Sequence, residues 1–292
     1  MRLIFLISTS LGLILLNGCS KINQEENVDQ AAGTFLRRIE VEGETREYLI
    51  HIPDSYDSTK SVPIVLNFHG FGGSVSEFIN DADMRSLAES DTFILIYPQG
   101  SNLNGFSHWN ACPIGGDNKS DADDFGFVES MITEISSQYN VDMERIYAAG
   151  YSNGGMMAYG LANYKSDLIA AVASVSGAML DCTGSTSHPM PVVHLHGTSD
   201  GVLPYNGSSD WSSAQSTLDY WINFNNTVLT PTVTSDSNIE HYVYDLGDSL
   251  VSVEHYKYIG GDHVWFSATF QGQNTSELVW NFVSRYDING LR

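Results

Sequence analysis

A serine flanked by glycines is the first feature of this chain able to do chemistry. It lies in Gly150-Tyr151-Ser152-Asn153-Gly154-Gly155, between a strand read over 142–150 and a helix read over 153–164. A G-x-S-x-G pattern in that context marks a nucleophile carried on a tight strand-to-helix turn. Side chains two residues before and two after the serine would collide with such a turn, which accounts for the glycines. The helix starting at Asn153 places a positive dipole end beside the hydroxyl, where negative charge develops on attack. The bland alternative is a Gly-rich packing turn with an idle serine.

A serine hydroxyl is a weak nucleophile at neutral pH, so it needs a histidine to take its proton and a carboxylate to orient that histidine. For an elbow of this kind the chain order is serine, acid, histidine. Asp200, in His196-Gly197-Thr198-Ser199-Asp200-Gly201, directly follows a strand read over 191–195, whereas Asp210 and Asp219 fall in or beside a helix. Asp200 is therefore the expected acid. Of the later histidines, His255 lies inside a predicted strand and His241 in a polar segment. His263, in Gly260-Gly261-Asp262-His263, sits on a loop beyond the last strand and is the expected base. Asp262 is read as a loop-stabilising cap. An oxyanion hole needs two backbone N–H donors, expected from Asn153 and from Phe71 in His69-Gly70-Phe71-Gly72-Gly73. His69 competes as a base, but chain order makes it a structural histidine bonding within its loop.

These residues have to be positioned by something, and the hydropathy pattern says what. Apolar runs of strand length alternate with segments of helical period, the signature of a mostly parallel sheet covered on both faces. Strands are read at 35–41 and 47–52 (an antiparallel opening pair), 62–68, 92–97, 142–150, 168–175, 191–195 and 251–258. Helices are read at 76–89, 123–139, 153–164, 213–224 and 276–286. Residues 101–121 read as a long irregular loop, a kind that in compact domains is usually functional. Residues 225–248 are polar and weakly periodic and read as a surface insertion without an assigned role.

The N-terminus speaks to compartment. A short basic start, an apolar run over 3–16 and Leu16-Asn17-Gly18-Cys19 read as a signal peptide ending in a bacterial lipobox, with Cys19 lipidated. The organisation expected is a leader over 1–19, a polar tether over 20–33 and a single catalytic domain over 34–292. The protein is then exported, either as an envelope lipoprotein at the outer membrane or cell surface or as a secreted protein, and meets the membrane only through its lipid. Cys112 and Cys182 remain, and in an oxidising compartment a disulfide is the simplest reading. Two unrelated buried thiols are the alternative. Acidic residues outnumber basic ones by 35 to 13, a net charge of −22, which argues against nucleic acid or an anionic membrane surface as partner. No cofactor or metal is implied.

Taken together, His69-Gly70-Phe71-Gly72-Gly73, Tyr97-Pro98-Gln99-Gly100, Trp109-Asn110, Asp123-Asp124-Phe125-Gly126-Phe127, the Ser152 elbow running on to Met156-Met157-Ala158, His196-Gly197-Thr198-Ser199-Asp200 and Gly261-Asp262-His263-Val264-Trp265 resemble the polyhydroxybutyrate depolymerase-like and feruloyl esterase proteins of carbohydrate esterase family 1. The resemblance implies an α/β-hydrolase fold, a three-layer sandwich, and carboxylic ester hydrolysis through an acyl-enzyme. Feruloyl or acetyl esters of plant polysaccharide, or small aryl esters, are the implied substrates, with polyhydroxyalkanoate as the alternative. A serine peptidase and a non-catalytic glycan-binding lipoprotein are the remaining readings. In such families the Trp-Asn loop lies near the pocket, which implies Trp109, Asn110, Tyr151 and Trp265 as substrate contacts, the two tryptophans forming an aromatic wall. Both can equally be packing residues. Asp124 reads either as a supporting acid or as a helix N-terminal carboxylate.

Overall fold

The computed structural model describes residues 32–113, 119–182 and 184–292. The expected signal peptide and Cys19 lie outside the described residues, as does the tether apart from its last two positions.

The chain opens with an antiparallel pair, β1 (Gly33–Val41) and β2 (Glu44–Ile52), followed by β3 (Val62–Phe68). Two short helices come next, α1 (Val75–Asp81) and α2 (Arg85–Asp91), where one helix over 76–89 was expected. The break has a tertiary cause: the buried Tyr97 hydroxyl donates to Ala82 O at 2.7 Å and accepts from Met84 N–H at 3.2 Å, replacing partners a continuous helix would supply. Then come β4 (Ile94–Pro98) and a small hairpin, β5 (Ser101–Leu103) with β6 (Phe106–His108), inside the segment expected to be all loop. The second half runs α3 (Asp124–Gln138), β7 (Val141–Tyr151), α4 (Asn153–Tyr164), β8 (Ala171–Val175), β9 (Val192–Gly197) and α5 (Ala214–Phe224). It closes with β10 (Thr232–Asp236), β11 (Ile239–Tyr244), β12 (Val253–Tyr258) and α6 (Thr275–Val283).

Ten strands form one sheet in the order β1-β2-β4-β3-β7-β8-β9-β12-β11-β10. The centre, from β4 to β12, is parallel; antiparallel pairs close both edges. The alternation of side chains along each strand builds two cores. Ile64, Leu66, Ile146 and Val172 pack on one face against α3, α4 and α5; Val65, Leu95, Tyr147 and Val193 pack on the other against α1, α2 and α6. Strands buried on both faces have to be continuously apolar, which is why β3 and β4 were legible as strands.

Residues 225–248 are not a structureless insertion. They form β10 and β11, which extend the sheet beyond β12, Ile239 pairing with Tyr258 and Tyr244 with Val253. Most of β10 is exposed, so an edge strand with little to bury carried no hydrophobic period.

Candidate active site

Three loops at the carboxyl ends of the parallel strands β7, β9 and β12 meet at one point. Ser152 occupies the turn between β7 and α4 with φ 54° and ψ −118°, a backbone state that non-glycine residues rarely adopt and that collects at functional sites. The glycines around it are sterically required. A Cβ on Gly150 would strike the Gly154 carbonyl, and one on Gly154 would strike the carbonyl of Phe68. The serine side chain is thereby thrust out beyond the sheet edge.

His263 Nε2 lies 2.8 Å from Ser152 Oγ, and its Nδ1 lies 2.7 Å from Asp200 Oδ2. The other carboxylate oxygen, Oδ1, accepts from the N–H groups of Val202 and Leu203, each at 2.8 Å. Burial pushes the Asp200 carboxyl up, but the bonds from His196, His263 and these amides outweigh it and hold the group well below the usual carboxylate range. It is thus an anion fixed to face an imidazole.

The histidine loop is tied down from several sides. Tyr151 Oη donates to His263 O at 2.8 Å, Ser176 Oγ donates to Val264 O at 3.0 Å, and Ser199 N–H donates to Gly261 O at 2.9 Å. Asp262 Oδ1 accepts from the His263 N–H at 2.8 Å, a local cap. Sequence reasoning missed Ser176 and missed a second imidazole on the acid: His196 Nε2 stands 3.1 Å from Asp200 Oδ2. The available signal for His196 was its place at the end of β9, four residues ahead of Asp200.

His69 is a structural group. Its Nδ1 donates to Gly70 O at 2.7 Å and its Nε2 accepts from Gly100 N–H at 3.0 Å, which fixes the tautomer. Burial pushes its imidazole down to about 4, against the hydrogen bond to Gly70, so it is neutral at physiological pH. The loop it anchors presses on the turn that carries Ser152: a Cβ on Gly70 would lie 2.9 Å from the Tyr151 ring and 3.3 Å from Ser152 Cβ.

A cavity of about 390 Å³ is lined by Phe71, Phe78, Tyr151, Val264 and Trp265, with Glu77 and Asp81 among its polar residues; Tyr151 and Val264 are the chain neighbours of Ser152 and His263, which do not themselves line it. Trp265 meets Phe78 edge-on with ring centroids 5.8 Å apart. Two of the four expected substrate contacts are thus cavity residues. The other two, Trp109 and Asn110, lie outside the cavity lining. Trp109 is 1% exposed, donates its indole N–H to His69 O at 2.9 Å and meets Phe68 edge-on; it braces the loop from behind. Asn110, 3% exposed, spends its amide nitrogen on Ser120 O and Ala122 O. The buried Asp124 accepts from Asn110 N–H at 2.7 Å and from Arg46 Nη2 at 2.7 Å, so it pins the same loop through an ion pair. Cys112 and Cys182 form a disulfide, Cα to Cα 5.9 Å, that ties this loop to the segment after β8.

A larger cleft, about 550 Å³, lies between the β1–β2 turn and residues 120–123; like the smaller cavity it is not lined by Ser152, Asp200 or His263, and unlike it by none of their chain neighbours either. Among the described residues no cluster of His, Cys, Asp or Glu is placed to hold a metal ion, and no helix is long and apolar enough to cross a membrane.

The sequence profile of the family described as Esterase PHB depolymerase matches residues 47–218. A bifunctional acetylxylan esterase/xylanase of Neocallimastix patriciarum is 28% identical over 246 residues, 82% of this chain and 34% of that protein. Feruloyl esterase B of Piromyces equi is 27% identical over 83% of this chain and 46% of its own length. The chain thus spans less than half of either relative. Among solved structures, an acetyl xylan esterase from Aspergillus awamori superposes with a TM-score of 0.61 at 20% identity, covering 79% of this chain and 94% of that one. The shared architecture is the α/β-hydrolase fold.

Proposed function

Because the chain belongs to the Esterase PHB depolymerase family, we propose that it is a serine esterase in which Ser152 is the nucleophile, His263 the base and Asp200 the acid. The observation that carries this reading is the alignment of Ser152 Oγ, both ring nitrogens of His263 and Asp200 Oδ2 through contacts of 2.8 and 2.7 Å beside an aromatic cavity.

The Ser152 hydroxyl proton passes to His263 Nε2 as Oγ attacks the ester carbonyl, and Asp200 holds the imidazolium through Nδ1–H. The tetrahedral oxyanion accepts from the Asn153 N–H, at the start of α4 where amides have no intrahelical partner. Its second donor is the Phe71 N–H. The amides of Gly72 and Gly73 are already spent on Ser107 O and Gly70 O, so the loop's donor lies upstream of them. His263 then returns the proton to the departing alcohol, and water repeats the sequence on the acyl-enzyme.

The substrates are carboxylic esters with a flat or small acyl group, feruloyl or acetyl esters of plant polysaccharide or related aryl esters. The names of the two relatives and the aromatic lining by Tyr151, Phe78 and Trp265 support this. The family's own description favours polyhydroxyalkanoate as the second reading. The disulfide supports export, and anchoring through a lipid on Cys19 belongs to the same proposal. A panel of methyl ferulate, acetylated xylan, short aryl esters and a polyhydroxybutyrate emulsion tests it. Hydrolysis of the first three ahead of the polymer is expected; clearing of the polymer alone supports the second reading, and no ester hydrolysis at all overturns both.

A further inference from the structure

Behind Asp200 lies a row of buried groups that the acyl-transfer steps do not use. His196, 2% exposed, has Nε2 facing two acceptors, Asp200 Oδ2 at 3.1 Å and Leu203 O at 2.9 Å. A ring nitrogen between a carboxylate and a carbonyl carries the proton, and in a neutral imidazole the other nitrogen is then an acceptor. That nitrogen, Nδ1, lies 3.1 Å from His194 Nε2, and His194 Nδ1 lies 2.8 Å from Tyr159 Oη. His194 and Tyr159 are both fully shut off from solvent. The partners fix one sense along the whole row: Tyr159 O–H donates to His194, His194 Nε2–H to His196, and the single His196 Nε2–H is shared between Leu203 O at 2.9 Å and Asp200 Oδ2 at 3.1 Å.

Deepening the triad reading, on which it rests, we propose that His196 is a positioning residue for Asp200, the last donor of a one-way hydrogen-bond chain that starts at Tyr159. Three dipoles aligned in series in a dry interior polarise one another and present their positive end to the carboxylate. The carboxylate oxygen that binds His263 therefore shares its charge with His196. This fixes the oxygen in place and tempers its pull on the imidazolium that forms during turnover.

The groups packed around the chain do not supply that donor. The Tyr205 ring lies 5.7 Å from His196, and the His255 ring lies 5.5 Å from His194 with its own nitrogens spent on His194 O and Tyr205 Oη. Lys257 and Glu240 lie beyond these, paired with each other. On the far side His263 is faced by Asp262 and by the Tyr151 ring.

The test is the pH profile of kcat/KM for an aryl ester with wild type, Ser152→Ala, His196→Phe, His196→Gln and Tyr159→Phe. Losing the donor leaves more charge on the oxygen facing His263. The acid limb in His196→Phe is then expected to move to higher pH by about half a unit or more, as loss of one hydrogen bond to a charged group implies. His196→Gln, which can place an N–H near the same point, brings the limb back toward wild type. Tyr159→Phe removes only the first donor and shifts the limb the same way by less, and it reports on the chain should His196→Phe fail to fold. A loosened site with no such chain would lose kcat while the limb stays or falls; that result in either variant overturns the proposal. Wild-type turnover that survives in Ser152→Ala overturns the triad reading itself, and the proposal with it.

Discussion

Asn153 and Trp109 exchange two hydrogen bonds: Asn153 Oδ1 accepts from Trp109 N–H at 2.7 Å, and Asn153 Nδ2 donates to Trp109 O at 3.1 Å. The residue after Ser152 thus spends its side chain holding the loop after β6, while its backbone amide stays at the head of α4. Since the Trp109 indole also bonds His69 O, one buried tryptophan connects the two segments proposed to supply the oxyanion donors. In Trp109→Phe the indole N–H is lost and His69 O is left without it. We expect kcat to fall about three- to tenfold, the equivalent of one hydrogen bond, with KM for a small aryl ester little changed. Steady-state kinetics check this; a raised KM at constant kcat would instead make Trp109 a substrate contact.

Trp265 is the contrasting case. It lines the cavity and packs edge-on against Phe78, so Trp265→Ala removes a wall from an aromatic acyl group and little from an acetyl group. KM for methyl ferulate is expected to rise about tenfold, the cost of roughly 1.4 kcal/mol of lost contact, with a smaller change for an acetyl ester. Equal changes for both esters would remove Trp265 from the acyl site.

Buried neutral histidines make stability depend on pH. Burial pushes His69 down to about 4 and His255 down to about 3. In the unfolded chain both take up protons as pH falls through about 6.5, while in the folded chain they do not until far lower. Their contribution is therefore intact above about pH 6.5 and lost as pH drops toward 4, at about 1.4 kcal/mol per pH unit for each histidine. Urea unfolding should show a clearly lower midpoint at about pH 5 than at about pH 8. A midpoint unchanged over that range contradicts the neutral assignment.

The Cys112–Cys182 bond joins positions 70 residues apart. A crosslink of that span restricts the unfolded chain by about 4 kcal/mol in the loop-entropy account, with 2–5 kcal/mol typical on removal. The double variant Cys112→Ser/Cys182→Ser is expected to lose stability in that range by denaturant unfolding. A loss below about 1 kcal/mol would mean the bridge constrains little that packing does not.

Much of this was legible in the chain because the physics is local. Strands β3 and β4 are buried on both faces and so are continuously apolar, and Gly150 and Gly154 are glycines because carbonyls occupy the space of a side chain. What escaped notice depends on partners distant in sequence. The break between α1 and α2 is set by Tyr97 Oη, and β10 gains its place from pairing with β11 and not from burial. The direction in which Trp109 faces, and the second imidazole on Asp200, become visible only once β9 and the loop after β6 are placed.

The most direct test of the central claim is covalent labelling with a fluorophosphonate followed by peptide mapping. The account predicts one adduct, on the peptide carrying Ser152, appearing in step with loss of aryl-ester turnover, and neither adduct nor turnover in Ser152→Ala. Turnover that persists in Ser152→Ala, or a label on another residue that alone extinguishes activity, would contradict it.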